Sequence, residues 1–368
     1  MRLRHPDGST VHLSYCTNVH AAEDLPGIHG QLSGVAARVR HLLGVERLGL
    51  WLSQHAAADL LAHPGELAGL RERLTALGLE VVTLNGFPYR GFHDEIVKYR
   101  VYQPDWADAE RLQYTLGLAE ILAALLPDDV TEGTISTLPL AWRTGWTRDK
   151  AAAVMANLDA VAQGLRALAG RTGKVIRVGF EPEPGCIIET TPQATALLSN
   201  VDHDYLGLCL DACHMAVGFE EPGAGARTGL PIVKLQASCA LEAPPGAQRA
   251  LAAFDEARFL HQTRSATGYA DDLGEALAGG LPADESWRVH FHVPLHDAPP
   301  PPLTTSAPYL RDLLNVLLGG ERPLTSHVEV ETYTWNVLPG APADVAAGIA
   351  AELDWMRGRL TSLGMKEQ

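Results

Sequence analysis

Carboxylates at the end of a predicted strand are the residues of this sequence best suited to chemistry. The run Arg177–Gly185 (RVGFEPEPG) continues a short apolar segment and ends in two acids, Glu181 and Glu183, two residues apart. Strand side chains alternate between faces, so both carboxylates point the same way. The prolines and the glycine stop the strand there. The pattern is typical of an active-site rim, and a solvated strand end would share it.

Three further predicted strands end in residues of the same kind. These ends carry Asp211 with His214, Gln236, and Glu329 with Glu331. Oxygen and imidazole groups are ligands for Mn²⁺, Mg²⁺, Co²⁺ or Zn²⁺. Carboxylates crowded together without a cation would repel one another strongly. If these strand ends meet, the sequence predicts a divalent-metal site.

The elements that would bring the strand ends together alternate between strand and helix. Eight short apolar stretches are separated by segments with apolar residues at helical spacing, as at Leu67, Leu70, Leu74 and Leu77. This alternation predicts an α/β protein with a parallel sheet. Eight strands in 368 residues suit a single (β/α)8 TIM barrel, in which all strand ends surround one site. The first predicted turn, 16–20, lacks the glycine-rich phosphate loop expected of an open doubly wound sheet.

Two regions depart from the simple alternation. The segment Phe87–Pro104 contains five aromatic residues and is long for a barrel connection. We predict that it forms a lid in which His93 and Lys98 meet a ligand, with a structural flap as the alternative. Residues 239–289 are rich in Pro, Gly and Ala, and predict an elaborated loop region between strands 7 and 8. Because no linker divides the chain, we expect residues 1–368 to form one barrel domain.

The composition of the sequence disfavours some classes of binding partner. The formal net charge of -15 repels nucleic acid and anionic membranes. No apolar run approaches the length of a membrane span. Five cysteines, an odd number without a C-x-x-C pair, predict reduced thiols and a cytoplasmic location.

Several motifs together resemble the xylose isomerase-like TIM barrel superfamily, which contains sugar isomerases, ketose 3-epimerases, inosose-processing enzymes and endonuclease IV. The matching motifs are GFEPEP at 179–184, CLDACH at 209–214, VKLQAS at 233–238, HVPL at 292–295 and VEVETYTW at 328–335. The runs SYCTNVH at 14–20 and NGFPY at 85–89 look like the EboE-type "metabolite traffic" subfamily. The resemblance covers essentially the whole chain.

The resemblance implies a set of metal ligands. Glu181, Asp211 and a glutamate of the last strand would bind the ion. Glu329 and Glu331 both face inward by parity, and Glu331 is preferred because it lies nearer the end of the strand. The epimerases usually have histidine at the seventh-strand position, whereas this sequence has Gln236, a neutral and weaker oxygen ligand.

The resemblance also implies catalytic and binding roles. Glu181 and Glu331 would act as base and acid on the reacting carbon, and His214 would contact the substrate. We expect His292 to lie at the pocket and His290 to be structural. The predicted substrate-binding residues are Asn18, His20, Asn85, His93, Lys98, Glu183 and His292.

Three functions are compatible with these residues. The first is a divalent-metal-dependent isomerase or epimerase of a polyhydroxylated carbonyl compound, such as a ketose or cyclitol ketone, that works through an enediolate. The second is a non-catalytic carrier of a metabolite, which Gln236 favours. The third is a zinc phosphoesterase like endonuclease IV, which the negative charge disfavours. We expect a small polyol or carbonyl ligand, no nucleic acid and no membrane insertion, with a homodimer left open.

Overall fold

Eight parallel strands form a closed barrel in the computed structural model, which describes residues 1–44, 47–340 and 344–368. The order of the strands around the barrel follows the chain, and the eighth strand pairs with both the seventh and the first. The strands are β1 (Thr10–Cys16), β2 (Arg47–Trp51), β3 (Glu80–Asn85), β4 (Glu132–Thr137), β5 (Val175–Phe180), β6 (Leu206–Asp211), β7 (Ile232–Ala237) and β8 (His327–Val330). This arrangement confirms the predicted (β/α)8 barrel.

Helices surround the barrel and bury their apolar faces against it. The α-helices are α1 (Leu25–Gln31), α2 (Ala37–Leu43), α3 (Gln54–Ala62), α4 (Pro64–Leu77), α5 (Ala109–Leu125), α6 (Arg148–Thr172), α7 (Thr191–Leu198), α8 (Ala212–Val217), α9 (Leu273–Glu275), α10 (Ala307–Leu318) and α11 (Val345–Ser362). In α6, the Thr147 side chain accepts a hydrogen bond from the Lys150 amide at the start. The same helix ends at Gly173, whose positive φ of 69° suits glycine. No described helix is long and apolar enough to cross a membrane.

The connection between β7 and α10, residues 238–306, is an elaborated insertion, as the sequence predicts. It is more regular than the expected loop, because it contains a five-stranded antiparallel sheet. In spatial order the strands of this sheet are Tyr269–Ala270, Thr263–Arg264, Trp287–Val289, Leu241–Ala243 and Thr304–Thr305. The insertion places histidines and aromatic residues beside the carboxyl ends of the barrel strands.

An ion pair is buried inside the barrel. Lys234 Nζ on β7 lies 2.6 Å from Glu329 Oε2 on β8, and both side chains are fully buried. Burial lowers the pKa of Lys234, but the Glu329 carboxylate more than offsets this, so the pKa lies above its usual value. Gly49 on β2 leaves room for the carboxylate, because a Cβ there would lie 1.1 Å from Glu329 Oε1. Glu329 is therefore neutralised within the protein.

Candidate active site

Three carboxylates from different strands meet at the carboxyl end of the barrel. Glu181 follows β5, Asp211 ends β6 and Glu331 follows β8. One oxygen of each lies within 4.8 Å of the others, and all three residues are buried. The structure thus brings together three of the four predicted metal ligands.

The fourth predicted ligand, Gln236, lies between two of these strand ends in the sheet register. Its Cα partner on β6 is Asp211, and its partner on β8 is Glu329. The side chain is fully buried, and neither its Oε1 nor its Nε2 has a hydrogen-bond partner.

The electrostatics of the three carboxylates are unfavourable in the protein alone. Burial raises the pKa of Glu181 well above its usual value, and the charges of Glu331 and Asp211 add to this effect. The pKa of Glu331 is raised in the same way, first by burial and then by Asp211 and Glu329. Among the described salt bridges, these three acids have only histidine partners, none closer than 3.7 Å. The cluster is therefore short of positive charge.

Buried polar atoms without hydrogen-bond partners indicate which kind of ligand the carboxylate cluster can bind. Glu181 Oε2, Asp211 Oδ2 and His292 Nε2 are buried and have no hydrogen-bond partner. Buried polar atoms without partners are costly, so such atoms usually bind a water or an ion. Carboxylate oxygens together with an imidazole nitrogen suit Mn²⁺, Co²⁺ or Zn²⁺, and the carboxylates alone suit Mg²⁺. The residues present therefore fit a divalent metal ion.

Neighbouring side chains fix the orientation of two of the acids. Asp211 Oδ1 accepts hydrogen bonds from Ser238 Oγ at 2.8 Å and from the His214 amide at 2.9 Å, which leaves Oδ2 free. Glu331 Oε1 accepts hydrogen bonds from Asn18 Nδ2 at 2.7 Å and from Asn85 Nδ2 at 2.8 Å. Asn18 and Asn85, predicted as substrate-binding residues, thus also hold a predicted metal ligand.

Two histidines lie in contact with each other beside the cluster. His214 Nδ1 donates to the Pro182 carbonyl at 3.0 Å, and His290 Nδ1 donates to Gln262 Oε1 at 2.7 Å. The Gln262 amide nitrogen faces the Pro184 carbonyl, which fixes the orientation of the amide. The two Nε2 atoms lie 2.9 Å apart, within hydrogen-bond distance of each other. His290, which the sequence predicts to be structural, is therefore part of the site.

Glu183 lines the site two residues after Glu181, but it is not one of the three clustered carboxylates. Its Oε1 accepts hydrogen bonds from Tyr102 Oη at 2.6 Å and from Gln262 Nε2 at 3.3 Å. Burial raises its pKa, and these two donors together with His214 act in the opposite direction. Sequence reasoning missed Tyr102 and Gln262, because they lie in a loop and in the insertion where no periodicity points to them.

Most of these groups line a small cavity with a volume of about 60 Å³, whereas Asp211, Gln236 and Gln262 are absent from its described lining. The barrel contributes mostly polar residues to the lining of this cavity. The two segments that cover the cavity, here called the roof, contribute mostly apolar residues. From the barrel come Asn18, Asn85, Glu181, Glu183, His214, Glu331 and Tyr333. From the segment 87–104 come Phe87, Pro88, Phe92, Val97, Lys98, Val101 and Tyr102. From the insertion come Phe259, Leu260, His290 and His292. Since one water needs about 10–15 Å³, the cavity has room for an ion and a few waters.

The segment Phe87–Pro104 and the insertion meet above this cavity. The backbone amides of Val97 and Lys98 both donate to the Arg258 carbonyl, at 2.8 and 2.9 Å. Lys98 Nζ also pairs with Asp272 of the insertion, so this predicted substrate-binding group is engaged in a protein contact. The roof is thus built from two segments held together by hydrogen bonds and one ion pair.

Two other predicted substrate-binding residues are absent from the described lining of the cavity. His93 Nε2 lies 2.7 Å from the Asn18 carbonyl and so supports a lining residue from behind. His20 packs edge-on against Tyr15, with its Nε2 3.3 Å from the tyrosine hydroxyl.

Residues 44–262 match the family described as "Xylose isomerase-like TIM barrel", and this is more than half of the chain. The chain therefore belongs to the xylose isomerase-like TIM barrel family. No curated protein sequence matches it significantly.

Similar solved structures support the same fold at low sequence identity. A xylose isomerase-like TIM barrel protein from Mycobacterium smegmatis, solved in complex with magnesium, is 14% identical with a TM-score of 0.54, over 98% of this chain and 94% of that chain. D-psicose 3-epimerase, solved in the presence of D-fructose, is 14% identical with a TM-score of 0.52, over 95% of this chain and 99% of that one. L-ribulose 3-epimerase is 13% identical with a TM-score of 0.52, over 96% of this chain and 95% of that one.

Proposed function

We propose that this protein is a divalent-metal-dependent isomerase or epimerase that acts on a polyhydroxylated carbonyl compound, a sugar or a cyclitol ketone. The observation that carries the proposal is the buried cluster of Glu181, Asp211 and Glu331, for which the described salt bridges include no lysine or arginine. The epimerase names of two structural neighbours agree with this class.

Glu181, Asp211 and Glu331 are the residues that would hold the ion. A bound divalent cation supplies a Lewis acid that polarises a carbonyl group and acidifies the neighbouring C–H bond. Three buried acids without a compensating charge destabilise the folded chain, so a binding role explains their presence better than a structural one.

Proton transfer falls to the carboxylates of the same cluster. We assign Glu181 and Glu331 to remove and return the proton on the carbon beside the carbonyl. Asn18 and Asn85 keep Glu331 in one orientation, so that its second oxygen remains available. His214 lines the cavity beside Glu181, and we assign it to contact the substrate. The apolar roof limits the access of bulk water and so protects the reacting compound from side reactions.

The segment Phe87–Pro104 acts in this proposal as a lid. The cavity of about 60 Å³ is smaller than the roughly 300–1,000 Å³ of sites for drug-sized ligands, so a sugar enters only after the roof moves. Phe92 and Phe259 meet across the roof with ring centroids 5.2 Å apart. Opening at this contact would separate the two segments that cover the cluster.

A carrier of a metabolite is the second candidate function. A neutral Gln236 at a position where the epimerases usually have histidine favours it, as does the resemblance to the EboE-type "metabolite traffic" subfamily. Such a protein would bind its ligand in the same cavity and leave the ligand unchanged.

Proton exchange with solvent separates the two candidates. Protein loaded with Mn²⁺ is incubated in D₂O with a panel of ketoses and inososes, and the recovered compounds are analysed by NMR. An isomerase or epimerase incorporates one deuterium beside the carbonyl of its substrate, and Glu181→Gln abolishes this. Metal-loaded protein that binds a panel member without any exchange would refute the enzyme proposal and favour the carrier.

A further inference from the structure

His292 reaches the carboxylate cluster from outside the barrel strands. It lies three residues after the insertion strand Trp287–Val289, and its side chain is buried. Its Nδ1 lies 2.7 Å from the backbone carbonyl of Glu331. A carbonyl oxygen only accepts hydrogen bonds, so Nδ1 carries the proton and Nε2 carries a lone pair.

The lone pair of His292 Nε2 lies near a carboxylate oxygen of Asp211 that also has only lone pairs to offer. His292 Nε2 lies 3.9 Å from Asp211 Oδ2, and both atoms are buried without a hydrogen-bond partner. Neither atom can donate to the other, so their approach is best explained by a positive group that binds both. With bonds of about 2.0–2.2 Å, two ligands of one zinc ion lie at most about 4.4 Å apart. The observed separation therefore fits two ligands of a single ion.

We propose that His292 is the nitrogen ligand of the metal site, in place of the seventh-strand residue Gln236, and that metal binding fixes the insertion to the barrel. The inference rests on the metal site of the proposed function. It assigns to the insertion a role in the site that the strand ends alone do not indicate.

The contrast with Gln236 supports this assignment. If the amide of Gln236 bound the ion, only its Oε1 would be satisfied, and its buried Nε2 would still lack an acceptor. If His292 bound the ion, no nitrogen of its ring would stay unpaired, because its Nδ1 already donates a hydrogen bond to the Glu331 carbonyl. A histidine held by a backbone carbonyl through its other nitrogen is also the usual arrangement of a metal ligand.

A consequence concerns the insertion as a whole. Near His292, the insertion is held to the end of the barrel by the hydrogen bond that Thr334 Oγ1 donates to the His292 carbonyl. A bond from His292 to an ion held by three barrel acids would add a link that depends on metal. We therefore expect amide exchange in residues 254–293 to slow when metal binds.

The test uses the full chain, freed of metal and then titrated with Zn²⁺ alone. The variants are His292→Ala and Gln236→Ala, with His290→Ala as a matched control that removes a buried imidazole of the same segment. X-ray absorption counts imidazole ligands, calorimetry gives the affinity, and hydrogen–deuterium exchange reports on the insertion.

We expect one imidazole ligand in the unmodified protein and none in His292→Ala. The affinity of His292→Ala should fall by roughly 100-fold or more, since loss of a group that only orients a ligand already costs about 10- to 100-fold. The same variant should lose the slowing of exchange in the insertion on addition of Zn²⁺. His290→Ala and Gln236→Ala should retain the imidazole signal.

Zn²⁺ bound without an imidazole, or an imidazole signal that persists in His292→Ala, would overturn this assignment and leave the proposed function standing. Loss of affinity in Gln236→Ala with no change in His292→Ala would overturn it as well. No binding of any divalent cation would overturn both. A bound ion with one imidazole and no proton exchange into any sugar or inosose would support this assignment and refute the proposed enzyme.

Discussion

Two layers of buried charge lie one above the other inside this barrel, and only one of them is balanced. In the deeper layer, Glu329 pairs with Lys234 at 2.6 Å. In the upper layer, Glu181, Asp211 and Glu331 lie within 4.8 Å of one another and have no lysine or arginine partner among the described salt bridges. The same barrel therefore contains acids that the protein neutralises and acids that it leaves unneutralised.

The difference indicates which acids are structural and which bind something. A buried carboxylate needs a compensating charge. Where the chain supplies a lysine, the acid contributes to the folded structure alone. Where it supplies none, an external cation is the simplest compensation. The two layers should therefore respond in opposite ways to substitution and to added metal.

The largest effect is expected in the deeper layer. Lys234→Met leaves Glu329 buried without a partner, and we expect the free energy of unfolding to fall by about 3–5 kcal/mol. Denaturation in urea measures this. The double variant Lys234→Met with Glu329→Met should recover most of the loss, because it removes both charges. If the double variant is as unstable as the single one, the loss comes from packing and the ion pair is not its cause.

Adding a cation should stabilise the upper layer. At a Zn²⁺ or Mn²⁺ concentration 100 times its dissociation constant, the free energy of unfolding should rise by about 2.7 kcal/mol. Thermal unfolding with and without metal measures this rise. Asp211→Asn should abolish it, because the variant removes a charged ligand of the ion.

The matched control for this response is the double variant of the deeper layer, Lys234→Met with Glu329→Met. It removes a buried acid and its partner without changing Glu181, Asp211 or Glu331, so the stabilisation by metal should persist. Equal stabilisation of Asp211→Asn and of the unmodified protein would contradict the assignment of the upper layer.

Removing one acid of the upper layer should stabilise the metal-free protein. Glu181→Gln relieves the repulsion by Asp211 and Glu331, and we expect the free energy of unfolding to rise by about 2 kcal/mol at pH 8. This sign is opposite to that of Lys234→Met. Urea denaturation without metal measures it, and a loss of stability in Glu181→Gln would mean that the upper layer is already balanced.

The stability of the metal-free protein should fall as the pH rises. The pKa values of Glu181 and Glu331 are raised in the folded state, so the folded protein keeps protons that the unfolded chain releases near pH 4.5. The free energy of unfolding therefore decreases as the pH rises from there through the folded-state pKa values. Each proton that only the folded state retains contributes at most about 1.4 kcal/mol per pH unit to this fall. His292, with a pKa of about 4, stays neutral above about pH 6 and does not contribute. A slope unchanged in Glu181→Gln would assign the effect to other groups.

The smallest effect concerns the roof of the upper layer. Lys98→Met removes the ion pair with Asp272, which is partly exposed, so the free energy of unfolding should change by less than about 1 kcal/mol. Amide exchange in residues 87–104 should nevertheless become several-fold faster. Arg100→Met is the matched control, because it removes an ion pair with Asp94 inside the same segment. Equal exchange in both variants would show that Lys98 does not hold the lid closed.

The sequence predicts the barrel well, because the alternation of strand and helix follows from local patterns. It also predicts the meeting of Glu181, Asp211 and Glu331, since parallel strands in a barrel share one end. It does not predict that Lys234 neutralises Glu329, because strand parity places Glu329 and Glu331 on the same side. The distances between residues of neighbouring strands decide which of the two glutamates pairs with Lys234. These distances cannot be derived from a single sequence.

The roof is the part that the sequence predicts least. The length and aromatic content of Phe87–Pro104 indicate a special segment, but not its contacts with Arg258 and Asp272. Likewise, the side-chain direction of His290 depends on the antiparallel pairing within the insertion, which involves strands of only two or three residues. Such short strands carry too few residues for a periodic signal.

Calorimetric titration of the metal-free chain with Mn²⁺ or Zn²⁺ tests most directly whether the upper layer is a metal site. We expect one ion for each chain, with binding abolished in Asp211→Asn and retained in the double variant Lys234→Met with Glu329→Met. Absence of any binding site, or equal binding in Asp211→Asn and in the unmodified protein, would contradict this assignment.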